Sequence, residues 1–323
     1  MKLAAIALVT ASVLASPTVS AQADYPNKPI RFISMSSPGT AGDLLSRLLA
    51  EKMGPMVNGQ FIVDNRPGAG GSIAVDLASK AVPDGYTITI GGATTHVIMP
   101  VVRANMPYDA LKDFVYMGQV ATAPGVLVVA ADFPANNLQE LIALAKTRSD
   151  LQYASWGNGS TGHFCGEMLN QRAGIKMQHI PYKAVAQIQT DLYGGHMKIA
   201  QIDGGSAPAM VKSGKVKAIT TCTGRHISFP DVRSYEDEGI SDGEKRIGQF
   251  RFGLYAPAGT PKPITDRIEA ALKATLDLSD VKEKIAGWGL QPAYLPGSQV
   301  REMTEREIAQ WRQVAEAAAI KLD

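Results

Sequence analysis

IRFISMSSPGTAGDLLSRLLAEKMG, residues 30–54, decides the fold, because it predicts a strand, a loop and a helix in immediate succession. The β-type run Ile30–Met35 is followed by a cluster of helix and strand breakers, Ser36–Gly42. Asp43 is a good N-cap, and the leucines after it recur at helical spacing until Gly54 ends the pattern. A strand joined to a helix by a short glycine-containing loop is the repeating unit of α/β proteins.

The same unit recurs along the rest of the chain. Further strands are predicted at 60–64, 86–90, 126–130, 151–155, 177–182, 197–202 and 216–221. One helix is predicted to end near residue 81, and two others are predicted at 138–147 and 162–173. Two amphipathic helices are predicted around 264–276 and 308–322. Because strands alternate with helices, we expect a parallel or mixed sheet that helices cover on both faces.

Composition narrows the class of protein. The chain has 323 residues, of which 45% are hydrophobic and 19% charged, and its formal net charge is +2. At about 150 residues per domain this length predicts about two domains. A near-neutral chain offers no electrostatic reason to expect a nucleic-acid partner. Two cysteines exclude a zinc ribbon and a scaffold built on disulfides.

The first segment, residues 1–23, predicts a signal peptide that is removed on export. Lys2 supplies the positive charge, Leu3–Leu14 is an apolar run too short to span a bilayer, and Ala21-Gln22-Ala23 is a cleavage pattern. No cysteine lies at the cleavage site, so we expect no acyl anchor. The mature protein is therefore expected to be exported and soluble.

Two loops, Ser36–Gly42 and Gly157–Gly162, each lie between a predicted strand and a predicted helix. The second matches G-x-G-x-x-G, but a dinucleotide site also needs an acidic residue about 20 residues later. The stretch 179–183 contains none, so we expect no nucleotide. Both loops could be simple capped turns. Because glycines and free N–H groups at a helix N-terminus favour an anion, we interpret the pair as one shared anion site.

Two further glycine-rich motifs do not predict catalysis. Gly68–Ser72 lacks the Gly-Lys-Ser/Thr ending of a phosphate loop, and we interpret it as a structural turn. Asn158–Gly162 departs from the G-x-S-x-G nucleophile elbow at its first position, so no hydrolase triad is predicted.

Two residue pairs have open or weak interpretations. His163 and Glu167 are four residues apart on a predicted helix, but no second pair of metal ligands follows, so a surface or capping role is favoured. Cys165 and Cys222 are either a disulfide, which an oxidising compartment allows, or two buried thiols.

Seven ordered blocks now indicate a family. They are Tyr25-Pro26-x-Lys28-Pro29-Ile30-Arg31, the Pro38-Gly39 to Asp43 loop, Asp64–Gly71, Pro83–Thr87, Gly157-x-Gly159-Ser160-x-x-His163, Pro181–Lys183 and Ala256–Pro261. In these blocks the chain resembles the Bug-family extracytoplasmic solute receptors, the substrate-binding components of tripartite tricarboxylate transporters. The resemblance covers the whole mature chain.

The resemblance implies a type II periplasmic binding-protein fold of the Venus-flytrap kind, two α/β domains with a central ligand cleft. The expected domains are 24–120 plus 225–323 and 121–224, because the chain must return for its C-terminal helices to complete the first sheet. The resemblance also implies that backbone N–H groups, hydroxyls and ordered water from loops 36–43 and 157–163 hold a ligand carboxylate.

Three positions depart from the family pattern. The first loop, Ser36–Thr40, has extra hydroxyls where the family usually has Pro-Pro-Gly-Gly, and Ala184 replaces a usual glycine. Arg251 stands where the family often has tryptophan. This cation could pair with a second anionic group on the ligand, or it could be a solvent-facing arginine on a strand edge.

The expected function is a periplasmic receptor that captures a small organic carboxylate and delivers it to a tripartite transporter. The carboxylate could be mono-, di- or tricarboxylic, aromatic acids included. Expected partners are this ligand and membrane permease subunits, with no nucleic acid, and the protein is expected to be a monomer. No catalytic residue, metal or cofactor is predicted. The alternatives are a ligand-sensing receptor that acts on a signalling partner and an exported enzyme that acts on a carboxylic acid.

The predicted ligand site follows from the ends of strands, because ligands of open α/β sheets bind beyond the carboxyl ends of the strands. Its residues are Ser37, Gly39, Thr40, Thr94, Thr95, His96, Asn158, Gly159, Ser160, Thr161, His163, Asp203 and Arg251. Asp203 could accept a hydrogen bond from the ligand or cap a turn. Ser160 and Thr161 are expected to donate to the ligand carboxylate on domain closure, although Thr161 could instead only cap its helix.

Overall fold

The computed structural model describes residues 25–240 and 249–317. The predicted signal peptide, 1–23, lies outside the described residues. The strands are β1 Ile30–Ser34, β2 Phe61–Asn65, β3 Thr87–Gly92, β4 Phe114–Pro124, β5 Val126–Ala130, β6 Gln152–Ser155, β7 Gln178–Pro181, β8 Ile199–Ile202, β9 Val216–Thr221, β10 Gln249–Pro257 and β11 Gln291–Leu295. The helices are α1 Ala41–Met56, α2 Ser72–Ser79, α3 Met99–Val102, α4 Leu138–Thr147, α5 Thr161–Ala173, α6 Val185–Gly194, α7 Ala207–Lys212, α8 Lys262–Asp277, α9 Ser279–Gly287 and α10 Gly297–Ala317.

The strands form two mixed sheets, which confirms the predicted α/β class. The six-stranded sheet has the order β11-β4-β10-β3-β1-β2, and the five-stranded sheet has the order β7-β6-β8-β5-β9. In the first sheet β1 is parallel to β2 and β3, whereas β10 is antiparallel to β3 and β4. In the second, β6 is parallel to β7 and β8, whereas β5 is antiparallel to β8 and β9.

Helix α1 buries the leucine stripe that the sequence predicts. Leu45, Leu49 and Met53 are fully buried in one core cluster with Phe32 of β1. The helix begins at Ala41, earlier than predicted, because Thr40 and not Asp43 is its N-cap residue. Within the described residues, no helix is both long and apolar enough to pass through a membrane.

A single residue, Gly125, separates the two sheets where the chain first crosses between them. β4 ends at Pro124 and β5 begins at Val126, and Cys222 donates its N–H to the Gly125 carbonyl at 2.8 Å. All strands of the five-stranded sheet lie between β5 and β9. The domain limits 24–120 plus 225–323 and 121–224 stay a prediction.

A disulfide joins Cys165 of α5 to Cys222, the residue after β9. The two Cα atoms are 5.9 Å apart, and 57 residues separate the cysteines in sequence. Of the two alternatives that the sequence left open, the structure has the disulfide.

Candidate functional site

A cleft of about 60 Å³ lies between the two sheets, and residues of both halves line it. A buried water needs about 10–15 Å³ of such space, so the cleft has room for a small ligand. The lining residues are Met35, Ser36, Ser37, Thr40, Gly42, Pro67, Gly68, Gly70, Gly71, Thr94, Trp156, Lys183, Ala184, Val185, Asp203, Phe250 and Phe252. Ser37, Thr40, Thr94 and Asp203 are therefore the members of the predicted site that border the cleft.

Hydrogen bonds within the first loop, and from the loop to α1 and β2, hold it in place. Gly39, at φ +79°, donates its N–H to the Asp43 carboxylate at 2.9 Å, and the Thr40 hydroxyl donates to the Ser37 carbonyl at 2.7 Å. Burial acts to raise the pKa of Asp43, but hydrogen bonds from Arg47, Gly39 and Asn65 outweigh it and hold this pKa below its usual value. A charged Asp43 thus fixes the loop that presents Ser37 and Thr40 to the cleft.

The glycine loop 68–71 also borders the cleft, although the sequence predicted only a structural turn there. Gly68, Gly70 and Gly71 have φ values of +131°, +65° and +96°, which side-chain-bearing residues rarely adopt. A Cβ on Gly70 would lie 2.4 Å from Met99 Cε, and one on Gly157 would lie 3.2 Å from the Gly70 nitrogen. These glycines let the backbones of the two halves approach each other beside the cleft.

The second predicted loop caps α5 and contacts the opposite half of the molecule. The Ser160 hydroxyl accepts the His163 N–H at 3.1 Å, as an N-cap should. The hydroxyl oxygens of Thr161 and Thr94 lie 2.6 Å apart, and both residues are only 2% exposed. Thr161 therefore has a protein partner, and its role as a donor to the ligand stays a prediction.

The remaining residues of the second loop lie behind or beside the cleft. Gly159 donates its N–H to His163 Nδ1 at 3.1 Å, whereas Asn158 is exposed. The His163 ring stacks on His179 with centroids 3.9 Å apart, and His179 Nε2 lies 2.7 Å from the Ser155 hydroxyl. Burial, with a further contribution from His163, lowers the pKa of His179 to about 3. The pair therefore supports the loop as neutral rings.

A metal site is not built from these groups. Within residues 25–240 and 249–317, no cluster of three or more histidine, cysteine or acidic residues could hold a metal ion. His163 has the capping role that the sequence favoured, since it accepts the Gly159 N–H.

Three predicted site residues lie away from the cleft. Thr95 accepts the Gly92 N–H at 3.0 Å, and His96 is fully buried with its ring stacked on Tyr255 at 3.8 Å. Arg251 is 6% exposed, and its Nη1 donates to Glu307 Oε1 at 2.7 Å. Neither alternative for Arg251 describes this position, because the residue is not solvent-facing and its partner is a carboxylate of the protein.

Asp203 caps a turn, which is one of the two roles that the sequence considered, and its role as an acceptor from the ligand stays a prediction. Its Oδ1 accepts the Ser206 N–H at 3.0 Å, which caps the turn before α7, and the residue also lines the cleft. Burial raises the pKa of Asp203, although hydrogen bonds from Ser206 and Gly205 oppose the shift.

Sequence reasoning missed an aromatic wall of the cleft, which Trp156, Phe250 and Phe252 form. The Trp156 and Phe250 ring centroids are 6.0 Å apart, and those of Phe250 and Phe252 are 4.7 Å apart, both with near-perpendicular planes. Trp156 directly follows β6, so the strand-end rule could have found it. The phenylalanines come from β10, which pairs with β3 from far away in sequence.

Comparison with known proteins identifies the family of this chain. Residues 45–320 match the model of the tripartite tricarboxylate transporter family receptor. A UPF0065 protein of Bordetella bronchiseptica is 31% identical over 95% of this chain and 90% of its own length. Protein BugT of Bordetella pertussis is 29% identical over 99% of this chain and 98% of its own.

Solved structures agree with the fold. The periplasmic binding protein BugD is 29% identical, with a TM-score of 0.84 over 92% of this chain and 99% of its own. A protein of R. palustris with adipate is 26% identical, with a TM-score of 0.86 over 92% of this chain and 99% of its own. MatC of Rhodopseudomonas palustris with bound malate is 25% identical, with a TM-score of 0.82 over 90% of this chain and 99% of its own. The predicted type II periplasmic binding-protein fold is thereby confirmed, and so is the resemblance: the chain belongs to the tripartite tricarboxylate transporter receptor family, which includes the Bug solute-binding proteins.

Proposed function

We propose that this protein is a periplasmic solute-binding receptor that holds a small organic carboxylate in the cleft between its two sheets. The observation that carries the proposal is the lining of that cleft, where the hydroxyls of Ser37 and Thr94 meet the glycine loop 68–71 at the carboxyl ends of strands, while Thr40 holds the Ser37 carbonyl. Hydroxyls and backbone N–H groups are the donors that anions need. Two similar proteins, which hold adipate and malate, support the ligand class.

The family supports a receptor and not an enzyme, because its members are transporter receptors. We extend the proposal to removal of residues 1–23 on export, to delivery of the ligand to membrane permease subunits and to a monomeric state. Ser37, Thr40, Thr94 and Asp203 would contact the ligand directly. Gly39, Asn158, Gly159, Ser160, Thr161 and His163 would shape the two loops around it, and Thr95, His96 and Arg251 would support the first half from behind.

A thermal-shift screen of the mature protein against mono-, di- and tricarboxylates, aromatic ones included, tests this function. A binding carboxylate raises the melting temperature, because it stabilises the folded state alone. Thr94→Val and Ser37→Ala should reduce the shift, and Thr220→Val, a buried threonine of β9 away from the cleft, is the matched control. Absence of any shift across the screen would contradict a carboxylate receptor, and turnover of a binding acid would favour an enzyme.

A binding experiment with the permease subunits distinguishes a transport receptor from a signalling receptor. The purified permease subunits in nanodiscs should retain the liganded receptor more strongly than the free one. Light scattering coupled to gel filtration measures the oligomeric state, and a dimer would contradict the proposed monomer.

A further inference from the structure

The acidic side chain that lines the cleft is buried, whereas the basic one is exposed to water. Among the described lining residues the carboxylate is Asp203, which is 7% exposed, and the ammonium is Lys183, which is exposed. Arg251 lies between the two cleft phenylalanines of β10, but alternate side chains of a strand face opposite ways and this arginine binds Glu307. An anion in the cleft therefore meets hydroxyls and N–H groups rather than a buried cation.

The aromatic wall faces the same space. Trp156, Phe250 and Phe252 are 8%, 7% and 1% exposed, and all border the cleft. Their ring faces cannot satisfy a charged group, whereas apolar atoms placed against them leave water at a gain of about 25 cal/mol per Å². A ligand that fits this lining has an apolar body.

We propose that the cleft selects monocarboxylates with an apolar body, aliphatic or aromatic, over the corresponding dicarboxylates. The inference rests on the proposed carboxylate-receptor function. A dianion would bring its second carboxylate into a lining that already holds Asp203 and whose ammonium lies in water. Like charges that share a buried site disfavour each other, and an unpaired buried charge is costly. A monoanion uses the hydroxyl donors and leaves its apolar body for the aromatic wall.

Calorimetry with hexanoate and adipate tests the selectivity, because both ligands have six carbons and differ in one terminal carboxylate. We expect hexanoate to bind at least about tenfold more tightly, and benzoate to bind more tightly than terephthalate by a similar factor. Adipate or any other di- or tricarboxylate that binds as tightly as the best monoacid would overturn the inference and leave the receptor function intact. Absence of binding by any carboxylate would overturn both.

Two variants test whether Asp203 and Trp156 cause the preference for monocarboxylates. Asp203→Asn keeps an oxygen that can accept the Ser206 N–H, and it should narrow the hexanoate-to-adipate ratio at least about threefold. Trp156→Ala should weaken hexanoate about tenfold while acetate, which lacks an apolar body, changes little. Trp288→Phe, outside the cleft, is the control for the tryptophan change. An unchanged ratio in Asp203→Asn, or equal losses for acetate and hexanoate in Trp156→Ala, would contradict the proposed selection. Should Trp156→Ala not fold, Trp156→Leu gives the same comparison.

Discussion

The hydroxyl oxygens of Thr94 and Thr161 lie 2.6 Å apart, although Thr94 follows β3 of the six-stranded sheet and Thr161 begins α5 of the other half. The Thr161 N–H also donates to Thr94 Oγ1 at 3.3 Å. These buried contacts join the two halves directly beside the cleft that Thr94 lines. We expect them to exist in the closed form and to be lost when the halves separate.

Thr161→Val should therefore weaken ligand binding by about 3- to 10-fold, since a net hydrogen bond contributes about 0.5–1.5 kcal/mol. Calorimetry with any carboxylate from the thermal-shift screen measures the change. Thr220→Val supplies the comparison, because this buried threonine of β9 donates to Arg233 within one half and should lower stability alone. An intact dissociation constant with a lower melting temperature would show that the Thr94–Thr161 contact is only structural.

The buried ring of His96 should make the stability depend on pH. Burial, with a contribution from Arg251, lowers the pKa of His96 to about 3, below its unfolded value of about 6.5. Below about pH 6.5 the unfolded chain binds a proton at His96 that the folded chain does not bind. The free energy of unfolding is therefore highest above this pH and decreases as the pH falls. Between pH 6.5 and 5 the loss is about 2 kcal/mol.

Urea unfolding at pH 5 to 7 measures this dependence, and His96→Gln should flatten its slope. The rings of Tyr108, Tyr116 and Tyr255 around His96 stay neutral in this range, because burial raises their pKa values. Parallel curves for the variant and the natural protein would contradict the assignment to His96.

The ion pair of Arg251 with Glu307 should stabilise the fold and not the ligand complex. Glu307→Gln leaves the buried guanidinium without its charged partner, which costs about 3 kcal/mol, the low end for buried pairs because the Glu307 side chain is 27% exposed. The double variant Arg251→Met with Glu307→Leu should recover most of this loss. Chemical unfolding measures both, and a tenfold loss of carboxylate affinity in Arg251→Met would instead place the arginine in the ligand site.

The disulfide should be a major source of stability for the second half. Replacing Cys165 and Cys222 by serine opens a loop of 57 residues, and the chain-entropy model gives a loss of about 4 kcal/mol. The unfolding curve of the double variant should agree with that of the natural protein in dithiothreitol, and both should show lower stability than the oxidised natural protein. Identical curves for oxidised and reduced protein would show that the bond contributes nothing.

Sequence reasoning predicted the fold best where the pattern is local. The bounds of β5, α4 and β9 agree with the predicted ranges, because local signals mark them: β5 is a short apolar run, and α4 has helical spacing after the N-cap Asn137. β4 was missed because Gly118 and Gln119 interrupt its apolar residues, whereas β5, which is also buried throughout, is an unbroken apolar run. β10 was missed as well, and its pairing with β3 and β4 links residues that are far apart in sequence.

In the candidate site, too, residues with a local signal were predicted, and residues that depend on long-range pairing were not. Ser37, Thr40 and Asp203 border the cleft because they follow strands, a position that can be inferred from the sequence alone. Arg251 was a candidate because of its charge, but its direction depends on the strand alternation of β10 and on α10, which supplies Glu307. The aromatic wall depends on the same long-range pairing and had no local signal in β10.

The Gly125–Cys222 hydrogen bond places the two ends of the five-stranded half side by side. Residues 126–221 hold every strand of that sheet, and the chain enters its first strand and leaves its last strand at neighbouring points. Because Cys222 is bonded to Cys165, and Tyr235 and Ile240 pack in the same core, a segment exchanged with a related receptor would run from residue 126 to about residue 240 and would leave the strand order of the six-stranded sheet unchanged.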